Sequence, residues 1–548
     1  MKPFHKIFLI LIVPLLLVGC APSTPASTPT PLASQTPVPE ATEAFPWWNE
    51  AVFYEIFVRS FRDSDGDGIG DFNGITEKLD YLQDLGVKGL WLMPIHPSPS
   101  YHGYDVTDYY AVNPDYGTME DFERLVEEAH KRDIKVIIDL VLNHTSGKHP
   151  WFESSQTPGG ESQDWYVWSE TDPGYLGPWG APAWYQADNG QYYYAVFWDQ
   201  MPDLNYDSQA VREESKKIAS FWLEDIGVDG FRLDAVRYLV EEDATLADSD
   251  ANHSFLEEWG EYYRSVDPQA FTVGEAWTDN ANVKEYVETN TELDSAFNFD
   301  LSTAILKSLN ESNNSQLRFL LQTTVRDFPE QDNSNFLTNH DMPRVMNQLS
   351  VDHEQKAKVA SGILLTAPGI PFVYYGEEIG MSGTKPDELI RTPMQWTAEE
   401  DAGFTSGTPW EPVNSDYQEI NVEGQTGDST SLLEHYRRLI QLRDEHLALR
   451  IGDTYVAESD SSKLVSYLRA NADETVMVLV NLDDQPISDY VINLGTGPLS
   501  GKYDARSLLD DSEVEPLQSN ETGGFDNYVP LEEIPPYSVI ILQLTPQD

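Results

Sequence analysis

Carboxylates recur along this chain beside basic or polar partners: Asp139 with Asn143 and His144, Arg232 with Asp234, Glu275 in "GEAW", and His340 with Asp341. In "GFRLDAV", Arg232 and Asp234 stand two residues apart, so on a strand they share a face while Phe231 and Leu233 pack behind. A buried salt bridge explains one such pair. It does not explain several carboxylates gathered at one mouth, where mutual repulsion raises some pKa values and costs stability. Two carboxylates in unlike environments, one ionised as a nucleophile and one protonated as an acid that later acts as base, are what hydrolysis of a glycosidic bond requires.

A second constellation lies upstream. In "DSDGDGIGDFNG" (63–74) the acids Asp63, Asp65 and Asp67 occupy positions 1, 3 and 5 of an EF-hand loop, with Gly68 at position 6. Position 12 is Gly74, where an EF-hand needs a bidentate Glu, and no helix pattern leads into the loop. Alternating acids in a tight turn can still wrap one hard cation with carboxylate and backbone oxygens, because the glycines allow positive φ. The alternative is a solvated acidic turn.

Residues so far apart in the chain meet only if a fold brings their strand ends together. Apolar runs that read as strands, "AVFYEIFV", "VKGLWLMPI", "IKVIIDLVLN", "VDGFRLDAV", "AFTVGEAW", "SNFLTNHD" and "IPFVYYGEE", alternate with amphipathic stretches such as "TMEDFERLVEEAHKRD" and "VREESKKIASFWLEDIG". Strands alternating with helices imply a parallel sheet, and near-continuous apolar strands imply one buried on both faces. With "DSAFNFD" as an eighth strand, the chain is expected to be α/β, a (β/α)₈ TIM barrel whose strand ends and following loops form the active face.

The barrel is expected over 47–144 and 207–450, closed by the helix "LLEHYRRLIQLRDEHLAL". Residues 145–206, dense in Trp, Tyr, Gly and Pro, read as a lobe inserted after the third strand. Its aromatic residues suit stacking against sugar faces and the lobe's own core equally. Over 451–548, runs such as "KLVSYLRA", "TVMVLVNL", "DYVINL" and "SVIILQL" alternate with turn residues and imply an all-β sandwich domain.

Composition bounds the partners. Lys and Arg number 34 against 92 Asp and Glu, a net charge of −58, which argues against nucleic acid or an anionic membrane surface. The N-terminus carries Lys2, His5 and Lys6, then the apolar run 7–18 and "LVGC", the layout of an export signal too short for a comfortable membrane span. "LVGC" resembles a bacterial lipobox, which implies that residues 1–20 are a lipoprotein signal and that Cys20 is lipidated. Cys20 is the only cysteine, so no intrachain disulfide forms. Residues 21–46, rich in Pro, Ser and Thr, read as an extended tether.

Taken together, "DLVLNH" (139–144), "GFRLDAV" (230–236), "GEAW" (274–277) and "FLTNHD" (336–341) resemble the four main conserved regions of the α-amylase family of glycoside hydrolases, family 13, in order. "MPDLN" (201–205), "GLWLMPI" (89–95) and "GIPFVYYGEE" (369–378) resemble its supplementary regions, and the chain looks intermediate between the oligo-1,6-glucosidase-like and neopullulanase-like branches. The resemblance implies Asp234 as nucleophile, Glu275 as acid/base and Asp341 as transition-state stabiliser. It also makes the inserted lobe the family's domain B. Arg232 beside Asp234 agrees with this by favouring an ionised carboxylate, while Glu275 must hold a proton. By the same resemblance His144 and His340 hydrogen-bond the sugar in the cleaved subsite, Tyr104 in "HGYDVTDYY" stacks under it and Asp105 contacts it. "DSDGDGIGDFNG" is similar to the calcium loop of related branches, which implies a structural Ca²⁺ held by Asp63, Asp65, Asp67, Asp71 and the Ile69 carbonyl.

The expected function is a retaining hydrolase of α-1,4-glucosidic bonds in starch-like glucans and maltooligosaccharides, an endo-acting α-amylase anchored by lipid at the extracellular face. "RTPMQW" (391–396) resembles the exo-acting α-glucosidase branch, in which Arg391 pairs with Asp105 and blocks the non-reducing end. Only "SGTKPDELI" separates "GEEIGM" from Arg391, however, and so short a loop leaves the cleft open. The alternatives are an exo-acting α-glucosidase or oligo-1,6-glucosidase, a transglycosylase or isomerase on the same barrel, and, from another class, a non-catalytic carbohydrate-binding lipoprotein. The intact acidic triad speaks against the last.

Overall fold

Apolar runs bounded by turn residues become the strands of a closed parallel barrel in this computed structural model, which describes residues 45–547 apart from 158, 243–244, 329–330 and 511. The strands are β1 (Phe53–Ile56), β2 (Gly89–Leu92), β3 (Lys135–Leu140), β4 (Gly230–Leu233), β5 (Phe271–Gly274), β6 (Ser295–Phe297), β7 (Asn333–Asn335) and β8 (Ile370–Tyr374). Each pairs in parallel with its neighbours in chain order, and Phe53 of β1 lies opposite Phe372 of β8 to close the ring. The expected signal peptide, lipidated Cys20 and most of the tether lie outside the described residues.

The barrel interior is packed with Phe53, Trp91, Ile137, Phe271, Val273, Phe297 and Phe372, the Phe53 and Phe372 rings stacking at 4.5 Å. Trp47 and Trp48 lie against Phe271 and close the end where the strands begin. Chemistry is thereby confined to the opposite end, where strands run into loops. β7 is "NSN", too polar for an apolar strand. Most of its polar groups find internal partners: the Asn333 and Asn335 amides donate to the Pro368 carbonyl, and Ser334 pairs with Ser295 at 2.7 Å.

Helices surround the strands, some burying a single stripe and His353–Thr366 buried on nearly all sides. Met119–His130 begins with a capping box in which Thr118 accepts from the Asp121 N–H, and it buries Phe122, Leu125, Val126 and Ala129. The amphipathic stretch "VREESKKIASFWLEDIG" (211–227) falls on an α-helix, Gln209–Ser220, continued by a wider turn, Phe221–Ile226. That turn aims the buried Trp222 Nε1–H at the Tyr109 carbonyl, 2.8 Å away.

Between β3 and β4 the chain forms a lobe with a three-stranded antiparallel sheet of Trp168–Ser169, Tyr192–Tyr194 and Trp184–Gln186. After the barrel come eight antiparallel strands in one continuous order rather than two separate sheets. Strand Asp453–Ser459 serves both halves: Asp453–Ala457 pairs with Ser466–Ala470, and Glu458–Ser459 pairs with Ile492–Asn493. The halves fold over a shared core that includes Leu468, Leu479, Ile492 and Phe525. The other face of this sheet carries Val465, Tyr467, Val478 and Ile541 into the same core as the barrel helix His353–Thr366.

Candidate active site

Four strand ends deliver the chemistry. Asp139 sits on β3 and Arg232 on β4, Asp234 follows β4, Glu275 follows β5, and His340 and Asp341 lie in the loop after β7. Backbone pairing continues just beyond the strands, Asp234 N–H donating to the Leu140 carbonyl and Glu275 N–H to Leu233, so both carboxylates leave rigid backbone. Ala235 is then forced to a left-handed φ of 49°, and its N–H lies 3.2 Å from Glu275 Oε2. A non-glycine residue in that conformation is strained, and such strain gathers at functional sites.

Arg232, 1% exposed, joins the acids. Its Nη1 donates to Asp139 at 2.8 Å and to Asp234 Oδ1 at 2.6 Å, and its Nη2 lies 3.0 Å from Glu275 Oε2. One guanidinium cannot neutralise three carboxylates. Burial, opposed by Arg232 and reinforced by Asp234, lifts Glu275 to about 8. Burial likewise lifts Asp139 to about 6. Glu275 therefore carries a proton at neutral pH.

Asp341 faces the opposite environment. Burial would raise its pKa, but His340 and Arg391 hold it well below the usual carboxylate range. His340 Nε2 lies 2.9 Å from Asp341 Oδ2 and 2.7 Å from the Tyr104 hydroxyl, while its Nδ1 meets Glu55 Oε1 at 2.5 Å. Burial opposes the charge on His340, yet Asp341 and Glu55 push it up to about 10, so the ring is an imidazolium at neutral pH. The Tyr104 ring lies nearly parallel to His340, 5.6 Å away, and its hydroxyl donates to Asp139 at 3.0 Å.

These groups border a pocket of about 250 Å³ lined by Tyr104, His144, Asp234, Glu275, Asp341 and Arg391, together with His102, Phe197, Met201 and Asp387. His144 Nδ1 is held by Asn143 Oδ1 at 3.0 Å, while its buried Nε2 has no partner among the described residues. Burial lowers its pKa and keeps it neutral.

The expected Arg391–Asp105 pair is not formed. Asp105 accepts hydrogen bonds from the Ser98 and Ser100 hydroxyls instead. Arg391 Nη2 donates to Asp341 Oδ1 at 2.9 Å and to Asp387 Oδ2 at 3.3 Å, and its Nε donates to the His340 carbonyl. The turn Asp387–Ile390 supplies the competing carboxylate four residues before Arg391. Two neighbours, Glu55 and Asp387, escape sequence reasoning, whereas Met201 opens "MPDLN" and Phe197 is one of the lobe's aromatic residues. A charged residue inside the apolar run "AVFYEIFV" was the signal for Glu55; nothing local marks Asp387.

The acidic loop lies beside the barrel. Among the described residues, Asp63, Asp65 and Asp71 form the one group of three or more acids, histidines or cysteines that could share an ion, with one ligand atom from each within 4.8 Å of the others. Asp67 is outside that group: its Oδ1 accepts the Ile69 N–H at 2.8 Å. Gly66 (φ 86°) and Gly68 (φ 96°) make the turn, and a Cβ on Gly68 would lie 1.9 Å from the Thr408 carbonyl. The donors are all oxygens and two of the three carboxylates are buried, which fits a hard cation. Burial, then repulsion from Asp63, raises the Asp71 pKa, a cost that a divalent ion would remove.

Comparison with known proteins agrees with this architecture. The family profile described as "Alpha amylase, catalytic domain" matches residues 55–452. Alpha-amylase 3 of Dictyoglomus thermophilum is 43% identical over 447 residues, covering 80% of this chain and 86% of its own. An oligo-1,6-glucosidase of Parageobacillus thermoglucosidasius is 33% identical, covering 85% and 97%. Among solved structures, the crystal structure of the α-amylase from H. orenii superposes with a TM-score of 0.78 at 40% identity, covering 90% of this chain and 99% of that one. With an eightfold parallel barrel, acids at its strand ends and matches along most of its length, the chain belongs to the α-amylase family of glycoside hydrolases, family 13.

Proposed function

We propose that this glycoside hydrolase is a retaining, endo-acting α-amylase that cleaves α-1,4-glucosidic bonds within starch-like glucans. In this reading the Asp234 carboxylate, oriented by Arg232, attacks the anomeric carbon while Glu275 gives its proton to the departing glycosidic oxygen. Glu275, now ionised, takes a proton from water, and that water displaces Asp234 and returns the sugar with its original configuration. Asp341, kept anionic by His340 and Arg391, faces the positive charge that develops on the ring. His144 Nε2, buried and unpartnered among the described residues, is free to hydrogen-bond the sugar, and Tyr104 lies beneath it.

One observation supports internal cleavage: Arg391 is occupied by Asp341 and Asp387, and Asp105 by Ser98 and Ser100, so the pair that would close the non-reducing end is not made. The test is a maltoheptaoside blocked at its non-reducing end, which an endo enzyme cleaves. No cleavage of the blocked substrate, with brisk release of glucose from maltose, would establish the exo-acting α-glucosidase reading instead. That second reading is favoured by "RTPMQW" and by relatives named oligo-1,6-glucosidase. The proposed setting is the extracellular face of the membrane, with Cys20 lipidated, on the strength of "LVGC" and the tether that follows. A structural Ca²⁺ would be held by Asp63, Asp65 and Asp71, with Asp67 and the Ile69 carbonyl as further oxygen donors. When bound, it would pin the loop after β1.

A further inference from the structure

Alternation along the lobe's small sheet divides its aromatic residues between two faces. Tyr193 turns to one side, where Phe152, Tyr166, Trp168 and Tyr193 pack at 5.0 to 6.0 Å and form the lobe's own core. Trp184 and Tyr194, directly opposite one another on adjacent strands, turn to the other side with ring centroids 5.3 Å apart. Tyr175 joins them from the preceding loop, 5.9 Å from Trp184 at 84° and 6.4 Å from Tyr194 at 47°.

These three rings line a cavity of about 200 Å³, to which Leu239, Val240 and Glu241 of the segment after Asp234 also contribute. The cavity shares no lining residue with the catalytic pocket. Two acids line it, Asp207 and Glu241, and among the described residues no lysine, arginine or histidine does. Tyr194 is 2% exposed, and neither its hydroxyl nor Glu241 Oε1 makes a hydrogen bond of ordinary geometry among the described residues. Burial lifts Glu241 to about 7, and burial followed by the Glu241 charge raises both Asp203 and Tyr194. These groups lack a counter-charge, and a cation beside them would hold the carboxylates ionised.

The walls indicate which cation. A metal ion needs several oxygens converging on one point, and among the described residues the one acidic group that offers this is Asp63, Asp65 and Asp71. A pyranose stacks on a flat platform, whereas Tyr175 and Trp184 meet at 84°. Walls at that angle form a corner, from which a cation lies within about 6 Å of both centroids, the range of cation–π attraction. Soft aromatic walls around one carboxylate suit an alkylated ammonium better than a strongly hydrated ion.

We propose that Tyr175, Trp184 and Tyr194, with Glu241 as counter-ion, form a binding site for a small organic cation of the quaternary ammonium class, separate from the glucan cleft. The occupant would tie the lobe to the barrel segment after Asp234. Trp184 and Tyr194 belong to the same small cluster as Phe197, which lines the catalytic pocket, so the occupant would also steady that wall. The site does not depend on whether the enzyme cuts glucans internally or from an end.

The probe is tetramethylammonium chloride, titrated into the full chain at about pH 8, above the Glu241 pKa of about 7, with Ca²⁺ saturating and NaCl adjusted to constant ionic strength. Titration calorimetry should show saturable binding of one cation per chain, and scanning calorimetry a matching rise in melting temperature. Glu241→Gln and Trp184→Leu should each weaken binding by about tenfold or more. Glu241→Gln keeps the shape of the side chain, so the test stands even where Trp184→Leu fails to fold. Absence of saturable binding would overturn the inference. So would binding that is unchanged in folded Glu241→Gln protein, or a cavity that takes maltose and not the cation.

Discussion

At the residue scale, the two ends of the acid set are held apart by their surroundings. Asp234→Asn, Glu275→Gln and Asp341→Asn should each lower kcat by about 10³ or more while the circular dichroism spectrum stays unchanged. Near-normal turnover by Asp234→Asn would remove it as nucleophile. Because Glu275 is lifted to about 8, kcat/KM of the wild type should fall as pH rises through about 8, where the free enzyme loses its acid proton. Glu55 adds a second alkaline control. Together with Asp341 it raises His340 to about 10, so the imidazolium persists below that pH and is lost above it. Glu55→Gln removes one of the two raising charges and leaves a group of similar shape. His340 should then lose its proton at lower pH, and the second alkaline step in kcat/KM, beyond the Glu275 step near 8, should move down in pH, while activity near pH 6 declines less. A second alkaline step coincident with that of the wild type would show that Glu55 contributes only packing. His144, Asp234, Glu275 and Asp341 were legible because each stands in a distinctive run in a fixed order. Glu55 meets His340 across 285 residues, a contact that no local pattern reveals.

At the element scale, the apolar strand runs were readable because near-continuous apolar segments have few other places to go than a doubly covered sheet. β7 was read from "SNFLTNHD", yet the strand is Asn333–Asn335 and the following "FLTNHD" forms the loop that carries His340. Tertiary pairing overrode propensity there, since side-chain amides and Ser334 supply their own hydrogen bonds. Strands Lys502–Ser507 and Gly523–Tyr528 went unread because their exposed positions are polar and few apolar side chains meet the core, Tyr503 in the first and Phe525 and Tyr528 in the second. The acidic loop permits a prediction of its own. It lies off the catalytic strand ends and docks on a distant segment, Asp63 N–H donating to the Phe404 carbonyl and Trp410 N–H to Gly68. Chelation should therefore lower the melting temperature more than it lowers activity at moderate temperature. An ion at a hundred times its Kd adds about 2.7 kcal/mol. Asp65, the exposed member of the group, is the residue to change, because Asp71 also caps the helix Phe72–Glu77. In Asp65→Ala the response to chelator should shrink; an undiminished response would place the ion elsewhere.

At the scale of the whole molecule, the C-terminal sheet and the barrel share one interior and should unfold together. Val465, Tyr467, Val478 and Ile541 belong to the same buried cluster as Ile363 and Leu364 of the barrel helix His353–Thr366. Tyr467 and Thr366 join hydroxyls across the seam at 2.6 Å. Gly362 has no room for a side chain: a Cβ there would lie 2.6 Å from Val539 Cγ2. At the centre is Arg469, fully buried, whose guanidinium donates to the Thr366 carbonyl at 2.8 Å, to Gln331 Oε1 at 2.8 Å and to the Gly452 carbonyl at 3.0 Å. Burial lowers its pKa to about 10, so it remains charged at neutral pH. Removing the guanidinium takes this donor from the Thr366 carbonyl and Gln331 Oε1, while the Gly452 carbonyl keeps Gln331 Nε2 at 3.0 Å, and each buried group left unsatisfied costs about 1–3 kcal/mol. Arg469→Met keeps much of the apolar stem and removes every donor. It should lower the melting temperature by several degrees while leaving KM for maltoheptaose at moderate temperature unchanged, because the seam lies away from the pocket residues. Differential scanning calorimetry decides the coupling: one transition in both proteins, shifted down in the variant, is expected. Two separate transitions in the wild type, with only the smaller moved by the substitution, would mean that the sheet folds and melts independently of the barrel.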